Sequence, residues 1–253
     1  MNYSKTSGLT GSHLKWIAIL TMLIDHIGAA LLERALLPQI ANAVLAGNAF
    51  NFLPTDYHTW YNFDSVLRYI GRLSFPIFCF LLVEGFLHTK NVKRYLLRLG
   101  LFALISEIPF DLAFNGSLLE LTSQNVFFTL FIGLTVLLVL QYFEKTLPSH
   151  LLPLRYLVAI TGMMFALFLR TDYDALGILL IVLLYEFRAS RKWQCITGAL
   201  VMLFNSYTAP FAFLFVWFYN GERGKQLPKY FFYAFYPVHL MGFFLIRLLI
   251  LGY

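Results

Sequence analysis

Nine apolar runs separated by short polar connections occupy most of this chain: residues 14–33, 66–87, 95–114, 125–143, 152–169, 174–187, 193–204, 209–219 and 230–250. A bilayer core about 30 Å thick takes about 20 apolar residues in helical form. Within it every backbone polar group must find a partner inside the chain, which favours helices. The pattern therefore predicts an all-α, polytopic membrane helix bundle of about nine spans. Several of the later runs are short for a full crossing, and the separation of the seventh from the eighth is left open. Segment 35–50 is also apolar but contains Pro38, Gly47 and asparagines. It reads as a re-entrant or interfacial piece inside a long loop, 34–65, that follows the first span.

Composition agrees with this class. Hydrophobic residues make up 59% of the chain and charged residues 13%, against about 25% charged in a soluble domain. No polar stretch is long enough for a separate soluble unit, so residues 1–253 read as one transmembrane domain. The net charge of +6 would suit a nucleic-acid partner, but the basic residues come in short clusters between apolar runs, as topology signals do. Nucleic acid is not expected. Cys79 and Cys195 lie inside apolar runs and read as small core residues rather than a disulfide. The first run resembles a signal peptide in its flanking lysine, but it carries Asp25-His26 and no small-x-small cleavage site, so it is expected to be retained.

The clusters set an orientation. Lys5, Lys15, Lys90, Lys93, Arg94, Arg98, Lys145, Arg155, Arg188, Arg191, Lys192, Arg223, Lys225 and Lys229 fall on one side, 14 of the 19 basic residues. Arg34, Arg68, Arg170 and Arg247 fall on the other, and Arg72 lies within a run. Because the basic side is cytoplasmic, the N-terminus is expected inside and loop 34–65 outside. Localisation follows as the bacterial plasma membrane, crossed many times.

Ionisable groups inside such runs cost about 2.5–3.5 kcal/mol each on insertion scales, so they tend to face a protein interior and to act there. At 1.5 Å per residue, Asp25 and His26 lie past the midplane toward the outer side. Arg72, Glu107, Asp111, Asn125, Thr129, Asp172 and His239 fall at similar heights. Glu107 and Asp111 are four apart, on one helical face. Together these groups would line a polar cavity. A buried imidazole beside a carboxylate accepts a proton at neutral pH while the carboxylate holds its tautomer.

On this reading His26 is the base, Glu107 or Asp111 its orienter, and Arg72 or Asn125 a stabiliser of oxyanion charge. Asp25, about 100° around the helix, need not touch His26. Plainer readings stand beside these. Arg72–Glu107 would serve equally as an ion pair locking two helices, Asp111 as a helix-end residue, and His239 as support for a kink at Tyr236-Pro237. Glu84 and His88 would form a surface pair, and Trp16, Trp60 and Trp217 are interfacial anchors. No phosphate-cradling GxxxxGK[ST], GxGxxG, HExxH or GxSxG pattern occurs, which disfavours an ATP-driven or Rossmann enzyme and leaves a zinc protease no motif to rest on.

The chain resembles the TraX family of integral membrane proteins. The resemblance rests on Lys15-Trp16-Ile17-Ala18 with Met22-Leu23-Ile24-Asp25-His26-Ile27-Gly28, and on Ile70-Gly71-Arg72-Leu73-Ser74-Phe75-Pro76-Ile77-Phe78 with Glu84-Gly85 and Thr89-Lys90-Asn91. It continues in Tyr95-Leu96-Leu97-Arg98-Leu99, Ser106-Glu107-Ile108-Pro109-Phe110-Asp111, Asn125-Val126-Phe127-Phe128-Thr129 and Tyr236-Pro237-Val238-His239-Leu240. It runs from about residue 10 to 245. The family's named member is associated with N-terminal acetylation of the conjugative F-pilin subunit, and the family more distantly resembles acetyl-CoA-dependent transmembrane acyltransferases.

The resemblance implies an acetyltransferase with acetyl-CoA as acyl donor and an acceptor on the outer side, a protein N-terminus or a glycan. In that scheme His26, Asp25, Glu107 and Arg72 are catalytic. Asp111, Asn125, Thr129, Asp172 and His239 bind the acceptor. Lys15, Lys90, Lys93, Arg94 and Arg98 form a basic rim, with Arg191 and Lys192, for the donor's phosphates, although topology alone would also place these charges there. A transporter and a structural pilus or envelope assembly factor are the rival functions.

Overall fold

A computed structural model describes residues 8–45, 54–225, 228 and 230–250. Lys5, Lys229 and residues 46–53 of the segment 34–65 lie outside the described residues. Among them the chain is all-helical, with two isolated β-bridges and no named strand. Five helical stretches are long and apolar enough to cross a membrane: Gly11–Ala43, Tyr57–His88, Val126–Thr146, Ser149–Phe168 and Phe231–Leu249.

Helix α1 (Gly11–His26) starts on a reciprocal cap: Thr10 Oγ1 accepts from the His13 amide at 3.3 Å, and His13 Nδ1 accepts from the Thr10 amide at 3.2 Å. At His26 the helix widens into a π-helical segment, Ile27–Leu36, which passes without a break into α2 (Leu37–Leu45). The π register ends at Leu37, whose amide donates to Leu32 O. The next residue, Pro38, has no N–H for the Arg34 carbonyl, so an α register cannot close there. Helix α3 (Pro54–Gly71) runs back along this segment, and α4 (Ser74–His88) follows after a break at Arg72-Leu73.

Two sequence expectations are corrected here. Segment 34–65 is not a long loop, because 34–45 and 54–65 are helical and form an antiparallel pair. The run 66–87 is not one uninterrupted helix. Its first residues belong to α3, and the break puts Arg72 at a joint rather than on a helix face.

Helices α5 (Val92–Phe114), α6 (Val126–Thr146), α7 (Tyr156–Phe168) and α8 (Asp174–Glu186) form the body of the bundle. A 3-10 turn, Ser149–Arg155, precedes α7. Helix α8 is its centre, with Ile178, Leu180, Ile181 and Leu184 fully buried. Helix α9 (Arg191–Met202) and the short α10 (Ala212–Trp217) form a hairpin, and α11 (Phe231–Ile250) lies along α5. Arg247 fastens that pairing, donating to the carbonyls of Ala113 at 2.8 Å and Leu112 at 3.0 Å, where α5 runs out of amide donors.

Each end of the bundle has its own ties. At one end Leu9 bridges Tyr219, Arg223 donates to His88 O at 3.3 Å, and Glu144 pairs with Arg155 and Arg188. At the other, Gln124 bridges Thr171, which joins the loop before α6 to the turn before α8. Lys15, Arg98, Arg155, Arg188, Arg191 and Arg223 all belong to the first end, so the basic clusters read from sequence share one end of the fold.

Candidate functional site

The site is built where α1 gives way to its π-helical continuation. His26 Nδ1 lies 2.6 Å from His239 Nε2, with the two rings stacked 6° from parallel. His239 Nδ1 in turn lies 2.7 Å from Phe235 O, one turn earlier on α11. A carbonyl only accepts, so His239 Nδ1 carries a proton, and in the neutral ring its Nε2 is the acceptor. With both imidazoles neutral, His26 Nδ1 donates the 2.6 Å bond and His26 Nε2 keeps a free lone pair. Phe114, Tyr236, Phe235 and Phe243 meet the pair edge-on or stacked and wall it with aromatic rings.

Asp25 turns the other way. Its Oδ2 accepts from Arg68 Nη1 at 2.5 Å, and Arg68 Nε reaches Glu33 at 3.2 Å. The Glu33 carboxyl also lies against that of Asp64, one helical turn before Arg68. Asp64 is only 4% exposed, and its Oδ1 has no partner. Two glycines make this approach possible. A Cβ at Gly71 would overlap the Asp25 carboxyl, and one at Gly28 would fall 2.6 Å from Asp64 Oδ1.

Arg72, at the α3–α4 joint, bonds the Tyr173 hydroxyl and lies in the field of Asp25 and Asp172. Tyr173 stacks on Phe75, 4° from parallel. Asp172 and Tyr173 sit in a tight turn between two non-glycine residues of positive φ, Arg170 at 53° and Asp174 at 41°. Such left-handed positions cost energy and concentrate at functional turns. Asp172 keeps an exposed surface, yet desolvation of its carboxyl by the surrounding helices and the nearby negative charge of Asp25 push it up to about 6. Arg72 and Arg68 pull the other way and are outweighed.

The other expected residues have structural partners. Glu107 Oε2 accepts from the Asn125 side-chain amide and, at 3.3 Å, from its backbone amide. Asn125 caps α6 through Phe127 N at 3.0 Å and donates to Ala103 O at 2.8 Å. Asp111 accepts from Glu120 N at 2.8 Å and Asn115 Nδ2 at 3.2 Å, closing the α5–α6 loop. Thr129 Oγ1 accepts from Tyr173 N at 3.5 Å. Three expectations are thus corrected: His239, not Glu107 or Asp111, orients His26; Arg72 pairs with Tyr173, not Glu107; and Asn125 has both amide hydrogens committed. Tyr236 links the two halves, accepting from Val126 N while it contacts the His26 ring and feels Glu107 and Asp172.

At the basic end, Lys15 Nζ lies 5.0 Å over the Phe232 ring, and Arg98 bonds the Tyr233 hydroxyl while its Nε stays buried without a partner. Lys90, Lys93 and Arg94 are exposed. His88 Nδ1 lies 2.8 Å from Glu84 O and 3.9 Å from its carboxylate, as a surface pair would. Arg68, Glu33 and Asp64 were missed as site residues. A signal for two of them was present, because Asp64, Arg68 and Arg72 recur every four residues and so form one helical stripe.

The profile described as TraX protein matches residues 10–247. The chain belongs to the TraX family. A curated relative, the probable fimbrial assembly protein FimC of serogroup H1 from Dichelobacter nodosus, is 29% identical over 265 residues, covering 94% of this chain and 95% of its own. No solved structure matches. The TraX match spans both histidines of the dyad and all of α3, so the geometry above lies wholly inside the family region.

Proposed function

We propose that this TraX-family protein is a membrane-embedded acetyltransferase, carrying acetyl from cytoplasmic acetyl-CoA to an amine or hydroxyl acceptor outside, a protein N-terminus or an envelope glycan. It would sit in the bacterial plasma membrane with its N-terminus in the cytoplasm, all nine apolar runs serving as spans. The observation that carries the reading is the His26–His239 pair, which in its neutral form leaves His26 Nε2 unprotonated and fixed in direction.

His26 Nε2 takes the proton from the acceptor nitrogen or oxygen as that atom attacks the thioester carbonyl. When the C–S bond breaks, His26 returns the proton to the departing sulfur, leaving acetylated acceptor and free thiol. An alternative order has Nε2 attack first and hold the acetyl group transiently. Arg72 has N–H donors beyond its bond to Tyr173 and would stabilise the oxyanion. At the basic end, the unpartnered Arg98 Nε fits a phosphate oxygen, with Lys15 beside it and Lys90, Lys93 and Arg94 on the rim. Lys15 and His26 are 11 residues apart on α1, about 16 Å along its axis, which is the span an extended acyl arm would bridge.

The test is transfer of labelled acetyl from acetyl-CoA, supplied on the N-terminal side of proteoliposomes, to an amine-terminated peptide on the other side. His26→Gln should lower the rate by about 10²–10⁴ with unchanged thermal stability. Transfer at the parental rate would refute His26 as the base. A structural assembly role, which the FimC relative's description favours, predicts instead that wild type shows no transfer and that His26→Gln still supports assembly.

A further inference from the structure

The α2–α3 segment carries two concavities that share a wall. One is a cleft of about 440 Å³ lined by Glu33, Tyr57, Tyr61, Asp64, Arg68 and Arg72. The other is a groove of about 330 Å³, almost wholly apolar, formed by Val66, Ile70 and Leu73 with Thr208 and Phe211. Tyr69 lines both, and Thr208 Oγ1 donates to its carbonyl at 2.9 Å, fixing the partition. A polar chamber and an apolar furrow lying side by side across the exposed Tyr69 match an amphiphile that lies over that side chain rather than a soluble ligand.

Charge selects the head. Arg68 is already committed to Asp25 and Glu33, whereas Asp64 lies buried in contact with Glu33, its Oδ1 unsatisfied. Two carboxyls in contact repel when both are ionised, and a buried oxygen without a donor carries its full desolvation cost. Asp64 Oδ1 itself packs against Gly28, but a primary ammonium on the cleft side, where Glu33 is exposed, offers the pair a positive charge and three N–H donors. Arg72, on the same cleft, has donors left for a phosphate. A quaternary ammonium would supply the charge without the hydrogen bond, and an anionic head supplies neither.

We propose that this cleft and groove bind a membrane phospholipid with a primary-amine head, its ammonium on Asp64 and Glu33, its phosphate near Arg72, and one acyl chain along Val66, Ile70 and Phe211. The site shares Arg72 with the proposed reaction site, but its test reads lipid binding and not acetyl transfer.

The full-length protein in detergent would be titrated with dioleoyl phosphatidylethanolamine, phosphatidylcholine and phosphatidylglycerol, with binding read by native mass spectrometry and thermal shift. The ethanolamine lipid should bind most tightly. Asp64→Asn should weaken it about tenfold or more and erase the preference over phosphatidylglycerol. Val66→Trp, which fills the groove from an exposed position, should weaken all three lipids and keep their ranking. O-phosphoethanolamine without chains should bind far more weakly than the lipid. Equal binding of the three lipids, no change in either variant, or equal binding of the chainless head would each overturn the proposal. Val66→Trp leaves the carboxyl cluster untouched, so it serves as the test should Asp64→Asn fail to fold.

Discussion

Replacing His239 with Phe keeps an aromatic ring between Phe235 and Phe243 but removes the acceptor for His26 Nδ1–H. A partly buried donor left without its 2.6 Å partner costs about 1–3 kcal/mol. His26 then either bears that cost or moves its proton to Nε2, which blocks the base. At 1.36 kcal/mol per tenfold, kcat/KM for acetyl transfer should fall about 5- to 150-fold. The loss should appear in kcat, because His239 does not hold the acceptor in this scheme. His239→Gln, whose side-chain oxygen reaches near the position of Nε2, should recover most of the activity. An acceptor-free check is 15N NMR of histidine-labelled protein, where His26 should show a protonated Nδ1 and a bare Nε2 in wild type. The reasoning fails if His26 carries its proton on Nε2, or if His239→Phe turns over at the parental rate.

Gly71→Ala should destabilise the fold by about 1–3 kcal/mol, the usual cost of overpacking, because the new methyl meets the Asp25 carboxyl; an unchanged unfolding midpoint in urea would contradict the close approach. Asp172→Asn has a sign fixed by its raised carboxyl, about 6 against an ordinary 3.8. Ionising it costs the folded state, a cost absent below about pH 4 and complete above about pH 7. The variant should therefore melt above wild type at pH 7.5 and with it at pH 4, and lower melting at pH 7.5 would refute this. For orientation, Cys79 and Cys195 are buried. A membrane-impermeant maleimide on intact spheroplasts should thus label Leu118→Cys and spare Lys93→Cys; the reverse pattern would invert the assigned topology.

Much of the fold was legible because hydrophobic length and basic clustering mark helices and their ends directly. The nine apolar runs correspond to helical stretches among the described residues, although only five are long and apolar enough to count as spans on those grounds. Helix α5 carries Lys93, Arg94, Arg98, Glu107 and Asp111, and α8 has only 13 residues. What misled was local chemistry. Pro38 and nearby asparagines read as loop, yet the missing N–H falls where the helix passes from π to α register, and the helix continues through it. Partner choice was the least legible part. Glu107, Asp111 and Asn125 lie at the right height, but height does not distinguish a carboxylate facing a cavity from one serving a helix cap. The residue that orients His26 lies 213 positions away, a pairing no local pattern contains.

The adjacency of Asp25 and His26 has a physical use that neither residue shows alone. Consecutive side chains on a helix point about 100° apart, so one dipeptide can reach two different neighbours. Asp25 is held by Arg68 on α3, and His26 meets His239 on α11. The ion pair fixes the rotation of α1 about its axis, and that rotation sets the angle at which the imidazole reaches its partner. Gly28 and Gly71 let α3 come near enough for the ion pair to form, and the π segment begins at the next residue, so the helix departs from α geometry only after both contacts are made. Removing either glycine would therefore disturb the dyad without touching a histidine. This gives small residues at a helix crossing a role in positioning His26 as well as in packing.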